Sequence, residues 1–155
     1  MDVLIPFLID WGYLGLFVAA FLAGSLLPFG SEAVLVALVA MGLSPLGTLI
    51  AATLGNTLGG MTCYWIGRLG NRKWLLRLGI REHQLARAER FLAGRGAWMA
   101  LFAFLPAIGE AIAVLLGMMR SQILITAFAM CLGKAARYVV ILYIYLYIEQ
   151  QLIAA

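Results

Sequence analysis

The sequence contains the same order of apolar segments twice, and this repetition restricts the fold more than any other feature. Each copy begins with an apolar stretch that proline and glycine interrupt, and continues into a long apolar segment. A gapless shift of 78 residues lays residues 27–55 on residues 105–133, with 12 of the 29 positions identical. Glu32 and Glu110 coincide in this alignment, each at the end of a Pro-x-x-x-Glu motif. The sequence therefore predicts two equivalent halves.

The composition identifies the medium in which these halves fold. The residues AVILMFWYC make up 65% of the chain, 12% of the residues are charged, and the mean hydropathy is +1.01. Soluble domains carry about 25% charged residues, so a water-exposed surface cannot be built from this chain. The same figures exclude a disordered chain and a secreted disulfide scaffold. We predict an all-α integral membrane protein.

The lengths of the apolar segments predict which of them cross the bilayer. A transmembrane helix needs about 20 residues to cross roughly 30 Å of hydrocarbon. Residues 45–67 and 123–148 meet this requirement without interruption. Residues 13–42 and 97–119 are divided into arms that are too short to cross, and each is predicted to be a re-entrant helical hairpin. The predicted hairpin breaks are Pro28, Gly30, Pro106 and Gly109.

One hairpin followed by one transmembrane helix makes an odd number of crossings. The two halves must then have opposite orientations in the membrane. Inverted repeats of this kind are typical of transporters, whose substrate site lies near the bilayer midplane where the broken segments meet. The predicted fold is therefore an inverted repeat in a single membrane domain, residues 1–155.

Residues 68–95 join the two halves and carry most of the positive charge of the chain. This linker contains eight basic and two acidic residues, whereas the remaining residues contain three basic and five acidic ones. The positive-inside rule places such a linker in the cytoplasm, and both termini are then expected outside. Apolar residues recur on one helical face in residues 82–94, which favours an amphipathic helix on anionic headgroups over a nucleic-acid partner.

Five polar residues stand at predicted membrane depth, where such groups are costly and usually line a pathway. Glu32 and Glu110 follow the two hairpin breaks, Lys134 and Arg137 share one face near the middle of the last helix, and Asn56 aligns with Lys134. We predict a substrate or proton pathway formed by Glu32, Glu110, Asn56, Lys134 and Arg137. Two structural roles remain open: the carboxylates could cap broken helix ends, and the charges could form ion pairs.

The sequence supports neither catalysis nor a bound cofactor. It contains no Ser-His-Asp set, no cluster with metal-ligand spacing and no phosphate-binding glycine loop. We therefore expect no enzyme activity, no cofactor and no metal.

Several motifs, in their order, resemble the DedA family of the VTT-domain superfamily, particularly its short YqaA-like branch. They are WGYLGLF at residues 11–17, FL at 21–22, LPFGSE at 27–32, GNTLGG at 55–60, FLPAIGE at 104–110 and GKAARY at 133–138. The resemblance covers nearly the whole chain. It implies two inverted re-entrant loops, each followed by a spanning helix, and lipid transport across the bacterial inner membrane, which in some members depends on the proton gradient.

The chain departs from the commoner family pattern at both loops. Ala23 replaces the acid expected before the first proline, and Gly30 replaces a second proline. In the second loop, Phe104 and Gly109 replace arginines. Lys134 and Arg137 are then the candidates to supply the missing positive charge.

Three functions remain open. The leading hypothesis is a lipid flippase or scramblase whose substrate bears a phosphate or another anionic group, such as undecaprenyl phosphate or phosphatidylethanolamine. The alternatives are a proton-coupled antiporter of small cations and a membrane scaffold that transports nothing. Membrane lipids are the expected partners, protons are a further candidate, and the large apolar surface is compatible with a homodimer.

Overall fold

The structure, a computed structural model, describes residues 4–25, 30–70, 73, 82–93, 96–105 and 108–154. Within these ranges every regular element is a helix. In chain order they are α1 (Leu4–Gly24), α2 (Ser31–Ala40), α3 (Pro45–Leu69), α4 (Glu82–Ala93), a 3₁₀-helix (Gly96–Phe104), α5 (Ile108–Met118) and α6 (Ile123–Ala154). The all-helical prediction is confirmed.

Several helix bounds differ from the predicted segments. The first arm begins at Leu4 rather than at residue 13, so α1 has 21 residues and, contrary to the prediction, is not too short to cross a bilayer. The last helix continues to Ala154 beyond residue 148. The first arm of the second hairpin is a 3₁₀-helix, which is an uncommon geometry for nine residues. The helical part of the linker, α4, agrees with the amphipathic segment predicted at residues 82–94.

The predicted hairpin breaks are described only in part. Pro28 and Pro106 lie outside the described residues. Gly30 directly precedes α2, as a residue at a break should. Gly109 is instead the second residue of α5 and is buried, because a Cβ atom there would collide with the backbone carbonyl of Ala103. Close packing accounts for a glycine at this position, and the predicted break beside Pro106 stays a prediction because residues 106 and 107 lie outside the described residues.

The start of α3 follows directly from its sequence. Ser44 caps the helix by accepting a hydrogen bond from the Gly47 N–H at 3.5 Å, and Pro45 occupies the first turn, where its missing N–H costs nothing. The Tyr13 hydroxyl accepts a hydrogen bond from the Ser44 N–H at 3.1 Å. The cap thereby also ties α3 to α1.

Glycines let the helices approach each other closely. A Cβ atom on Gly55 would collide with the carbonyl of Phe17 in α1, and one on Gly67 would collide with the carbonyl of Val114 in α5. Gly133, which aligns with Gly55 in the repeat, packs in the same way against Leu101 of the 3₁₀-helix. Small residues at these contacts are the usual means of packing helices in membranes.

The core consists of two apolar clusters, with α3 and α6 contributing to both. One cluster joins them to α1 and α2 through residues that include Leu16, Leu35 and Ala52. The other joins them to the 3₁₀-helix and α5 through residues that include Met99, Leu116 and Met130. The two long helices, α3 and α6, therefore form the centre of the described structure. The pair α1 and α2 packs on them in one cluster, and the 3₁₀-helix and α5 pack on them in the other.

The helix surfaces are apolar on the outside and partly polar inside. On α3 the exposed large residues are Leu46, Ile50, Leu54, Leu58, Trp65 and Leu69, whereas Thr48, Thr53, Asn56 and Thr57 are buried. This arrangement is the reverse of a soluble helix and suits a lipid environment. In the described ranges one helix, Ile123–Ile153, is both long and apolar enough to cross a bilayer. The transmembrane role of residues 45–67 remains a prediction, since threonine, glycine and asparagine interrupt the apolar residues of α3.

Candidate functional site

Lys134 of α6 and Asn56 of α3 form the centre of a buried polar cluster. The Lys134 Nζ donates hydrogen bonds to the backbone carbonyl of Asn56 at 2.8 Å and to its side-chain oxygen. The two residues are 3% and 5% exposed. Gly60 provides the space for the ammonium group, because a Cβ atom there would lie 3.1 Å from Nζ. A cation is thus held between the two central helices.

Tyr138 extends this cluster to α2. Its hydroxyl accepts a hydrogen bond from Asn56 Nδ2 at 2.8 Å and lies 2.8 Å from the Ser31 Oγ. Tyr138 and Ser31 are both buried. One hydroxyl therefore connects the three helices α2, α3 and α6.

Arg137 and Glu32 form an ion pair at the more open side of the cluster. Their side chains are 26% and 27% exposed, so this pair is accessible from outside the protein. Arg137 also donates a hydrogen bond to the Phe104 carbonyl at 3.2 Å, at the end of the 3₁₀-helix. The guanidinium thereby connects α2 to the end of the 3₁₀-helix.

Glu110, in the first turn of α5, has one carboxylate oxygen without a hydrogen-bond partner. Its carboxylate interacts electrostatically with Lys134 and with the buried Cys63. Its Oε2 atom is buried and has no hydrogen-bond partner, and the same holds for the hydroxyls of Thr53 and Thr57. A buried polar atom without a partner costs about 1–3 kcal/mol, so these atoms are positions for water or for a polar ligand.

The structure brings the five predicted site residues into one region. Asn56 contacts Lys134, and Glu32 contacts Arg137. The two pairs are adjacent, because Arg137 precedes Tyr138 and Glu32 follows Ser31 in the chain. We call the residues Ser31, Glu32, Asn56, Glu110, Lys134, Arg137 and Tyr138 the polar cluster.

Two members of the polar cluster were not among the predicted site residues. Tyr138 lies four residues after Lys134, and this spacing puts both on one helix face. Ser31 directly precedes Glu32. The spacing of Tyr138 was a usable signal, whereas nothing in the sequence indicates that Ser31 reaches it. Among the described residues, no group of His, Cys, Asp and Glu could hold a metal ion.

Apolar helix surfaces around a polar interior define an integral membrane protein. Residues 27–146 match the family model of the VTT domain. The chain belongs to the VTT-domain family, the DedA family, as the sequence motifs indicated.

Individual relatives of the chain agree with this membership. The chain is 39% identical over 127 residues to the inner membrane protein YqaA of Escherichia coli, covering 81% of this chain and 85% of that protein. It is 30% identical over 137 residues to an uncharacterized protein of Haemophilus influenzae, covering 83% and 84% of the two chains. It is 32% identical over 84 residues to undecaprenyl phosphate transporter A of Bacillus subtilis, covering 51% and 42%. No solved structure matches the chain.

Proposed function

We propose that this protein transports a phosphate-bearing lipid across the bacterial inner membrane. The observation that carries the proposal is the polar cluster, which holds two cations between helices whose outer surfaces are apolar. A lipid needs this combination, since its headgroup requires charge within the membrane and its chains require an apolar surface. Family membership and the partial match to undecaprenyl phosphate transporter A support the same substrate class.

An inverted repeat explains how the polar cluster arises. Residues related by a twofold axis touch only if they lie near that axis. Asn56 and Lys134 are aligned by the shift of 78 residues and are hydrogen-bonded to each other. Thr48 and Thr126, also aligned, each donate a hydroxyl hydrogen bond to the carbonyl four residues earlier. The axis of the proposed repeat accordingly passes close to Lys134, and the two re-entrant hairpins meet there.

The ion pair between Glu32 and Arg137 provides a mechanism for headgroup binding. Arg137 is partly exposed, and its planar guanidinium matches the geometry of a phosphate. An arriving phosphate replaces the Glu32 carboxylate as the partner of Arg137. The released carboxylate is then hydrated or protonated. Lys134, held by Asn56, supplies a fixed positive charge deeper in the protein. The acyl chains stay against the apolar outer faces of the helices.

The proposed orientation follows the charge of the linker. Residues 68–95 face the cytoplasm, and both termini lie on the outer side of the inner membrane. Positive charge near anionic headgroups on the cytoplasmic side stabilises this orientation.

Glu110 favours one alternative function. Its buried oxygen without a partner is a candidate proton carrier, as required in a proton-coupled antiporter of small cations. In that case, adding a substrate cation would release protons from the reconstituted protein. The release would disappear in the double variant Glu32→Gln and Glu110→Gln.

Lipid transport is tested with purified protein in vesicles that contain a labelled phosphate-bearing lipid. We expect transfer between leaflets faster than in protein-free vesicles, and a loss of about 10-fold in Lys134→Gln, in which one charge-assisted contact is removed. Arg87→Gln, which neutralises an exposed cation on α4, is the matched control. Transfer equal to that of empty vesicles at several lipid compositions and pH gradients would contradict the proposal.

A further inference from the structure

A second site lies outside the polar cluster, at the end of the molecule where the linker attaches. A cavity of about 390 Å³ opens between the start of the 3₁₀-helix and the turn from α5 to α6. Its volume is in the range of small-ligand pockets, about 300–1,000 Å³. The apolar part of its wall includes Trp98, Met119 and Ile125, and the polar part is the turn itself. None of its lining residues belongs to the polar cluster.

Arg120 supplies an unpaired positive charge at this cavity. Its side chain is exposed and makes no hydrogen bond or ion pair within the part of the chain that the structure describes. Its backbone has φ +52°, a left-handed conformation that L-residues other than asparagine and aspartate rarely adopt. Arg120 therefore occupies a turn position where glycine would be less strained.

Two further features make this end of the molecule electropositive. The Tyr64 hydroxyl donates a hydrogen bond to the Ser121 carbonyl at 2.5 Å and accepts one from Arg68 at 2.7 Å. The guanidinium of Arg68 is thereby connected through Tyr64 to Ser121 at the cavity rim. The first turn of α6 also begins at the rim, with its free N–H groups and the positive end of its dipole.

The residues around the cavity are of the kinds found where a membrane meets water. The amphipathic helix α4, which is part of the positively charged linker, packs against the 3₁₀-helix and against α5. Trp98 and Trp65 are 57% and 45% exposed, and indole rings are concentrated at the headgroup level of membranes. The linker charge assigns this end to the cytoplasmic leaflet.

We propose that this cavity binds an anionic phospholipid of the cytoplasmic leaflet, with the phosphate at Arg120 and the glycerol and upper acyl chain against Trp98 and Ile125. The cationic rim complements the phosphate, and the apolar wall complements the chain. A free phosphate ion would satisfy the rim but not the wall. The proposal rests on the proposed orientation of the linker but not on lipid transport, because the site is separate from the polar cluster.

The binding is measured by native mass spectrometry of the full chain in detergent, titrated with dioleoylphosphatidylglycerol. We expect the affinity for the first lipid to fall about 10-fold in Arg120→Gln, through loss of a charge-assisted hydrogen bond, and to fall less in Arg120→Lys. Ile125→Trp fills the cavity without changing charge and is expected to lower the affinity as well. Arg87→Gln is the control for a cation that does not line the cavity and is expected to bind as the wild type does.

A competition with free phosphate distinguishes a bound phospholipid from a bound phosphate ion. Excess sodium phosphate is expected to leave the bound lipid in place, and its complete displacement would overturn the lipid assignment in favour of a free anion. Wild-type affinity in both Arg120→Gln and Ile125→Trp, in variants that elute as folded protein, would overturn the site itself. Equal loss in Arg87→Gln would show a general charge effect and would also overturn it.

Discussion

Asn56 and Lys134, which occupy equivalent positions in the two halves of the sequence, are hydrogen-bonded to each other at the centre of the molecule. The first half supplies a hydrogen-bond acceptor at this position, Asn56, and the second half supplies a donor, Lys134. Two lysines at this place would repel each other, and two asparagines would provide no charge. The difference between these two positions therefore places one buried cation between α3 and α6.

The Asn56 side chain is expected to stabilise the fold by satisfying the buried ammonium group of Lys134. Asn56→Leu removes the side-chain acceptor and leaves a buried cation short of partners, which lowers the free energy of unfolding by about 3 kcal/mol. The thermal midpoint in detergent can be followed with a thiol-reactive dye in a background without the partly exposed Cys131, because Cys63 is buried until the protein unfolds. Leu58→Ala, on the exposed face of the same helix, is the control. An unchanged midpoint in Asn56→Leu would contradict this role.

The Tyr138 hydroxyl is expected to hold three helices together. Tyr138→Phe keeps the ring but leaves Ser31 Oγ and Asn56 Nδ2 without this partner, at a cost of about 1–3 kcal/mol. The same thermal assay measures the loss. Tyr143→Phe removes a hydroxyl from a side chain that is 70% exposed and is expected to change nothing. Equal midpoints for the two variants would show that the Tyr138 hydroxyl is dispensable.

Gly55 is expected to be intolerant of any side chain. A Cβ atom there collides with the Phe17 carbonyl, which cannot move without displacing α1, so Gly55→Ala destabilises the protein by about 3 kcal/mol or prevents folding. At Gly15, by contrast, an added Cβ atom would have no neighbouring atom within 4 Å. Gly15→Ala therefore serves as the control and is expected to be neutral or stabilising, since alanine favours helix more than glycine does. The yield of monodisperse protein and the thermal midpoint report both effects.

Arg137 is expected to contact the lipid headgroup, whereas Glu32 holds Arg137 in place between transport cycles. Arg137→Gln lowers the rate of labelled-lipid transfer in vesicles by about 10-fold, and Arg137→Lys lowers it less, because lysine keeps the charge but loses the planar fork. Glu32→Gln frees the guanidinium and is expected to retain transfer. Retained transfer in Arg137→Gln together with a loss in Glu32→Gln would reverse the assigned roles.

The linker is expected to be reachable only from the cytoplasmic side. In a variant without the two native cysteines, Lys73→Cys places one thiol in the linker. A membrane-impermeant maleimide should label it in inside-out vesicles and not in intact spheroplasts. Gln151→Cys, near the end of α6, should show the opposite pattern, and labelling of both thiols from the same side would contradict the proposed topology.

Local sequence signals predicted the helices well where a cap or a charge marks their limits. Ser44 and Pro45 start α3 as expected, and the polarity of residues 82–94 located α4. The 3₁₀ geometry of Gly96–Phe104 could not be foreseen, because its apolar residues fit an α-helix equally well. The close packing of Gly109 could not be foreseen for a similar reason, since only the position of Ala103 shows it.

The sequence by itself determined that this protein belongs in a membrane and that its described elements are helical, and it predicts that the two halves are related. These properties depend on composition, on segment length and on the repeat, all of which are local or additive. Only the tertiary structure decided that Glu32 meets Arg137, that Asn56 meets Lys134 and that the Glu110 oxygen lacks a partner. The helical period determines which residues share one face of a helix, but the contacts between helices depend on how closely glycines let those faces approach.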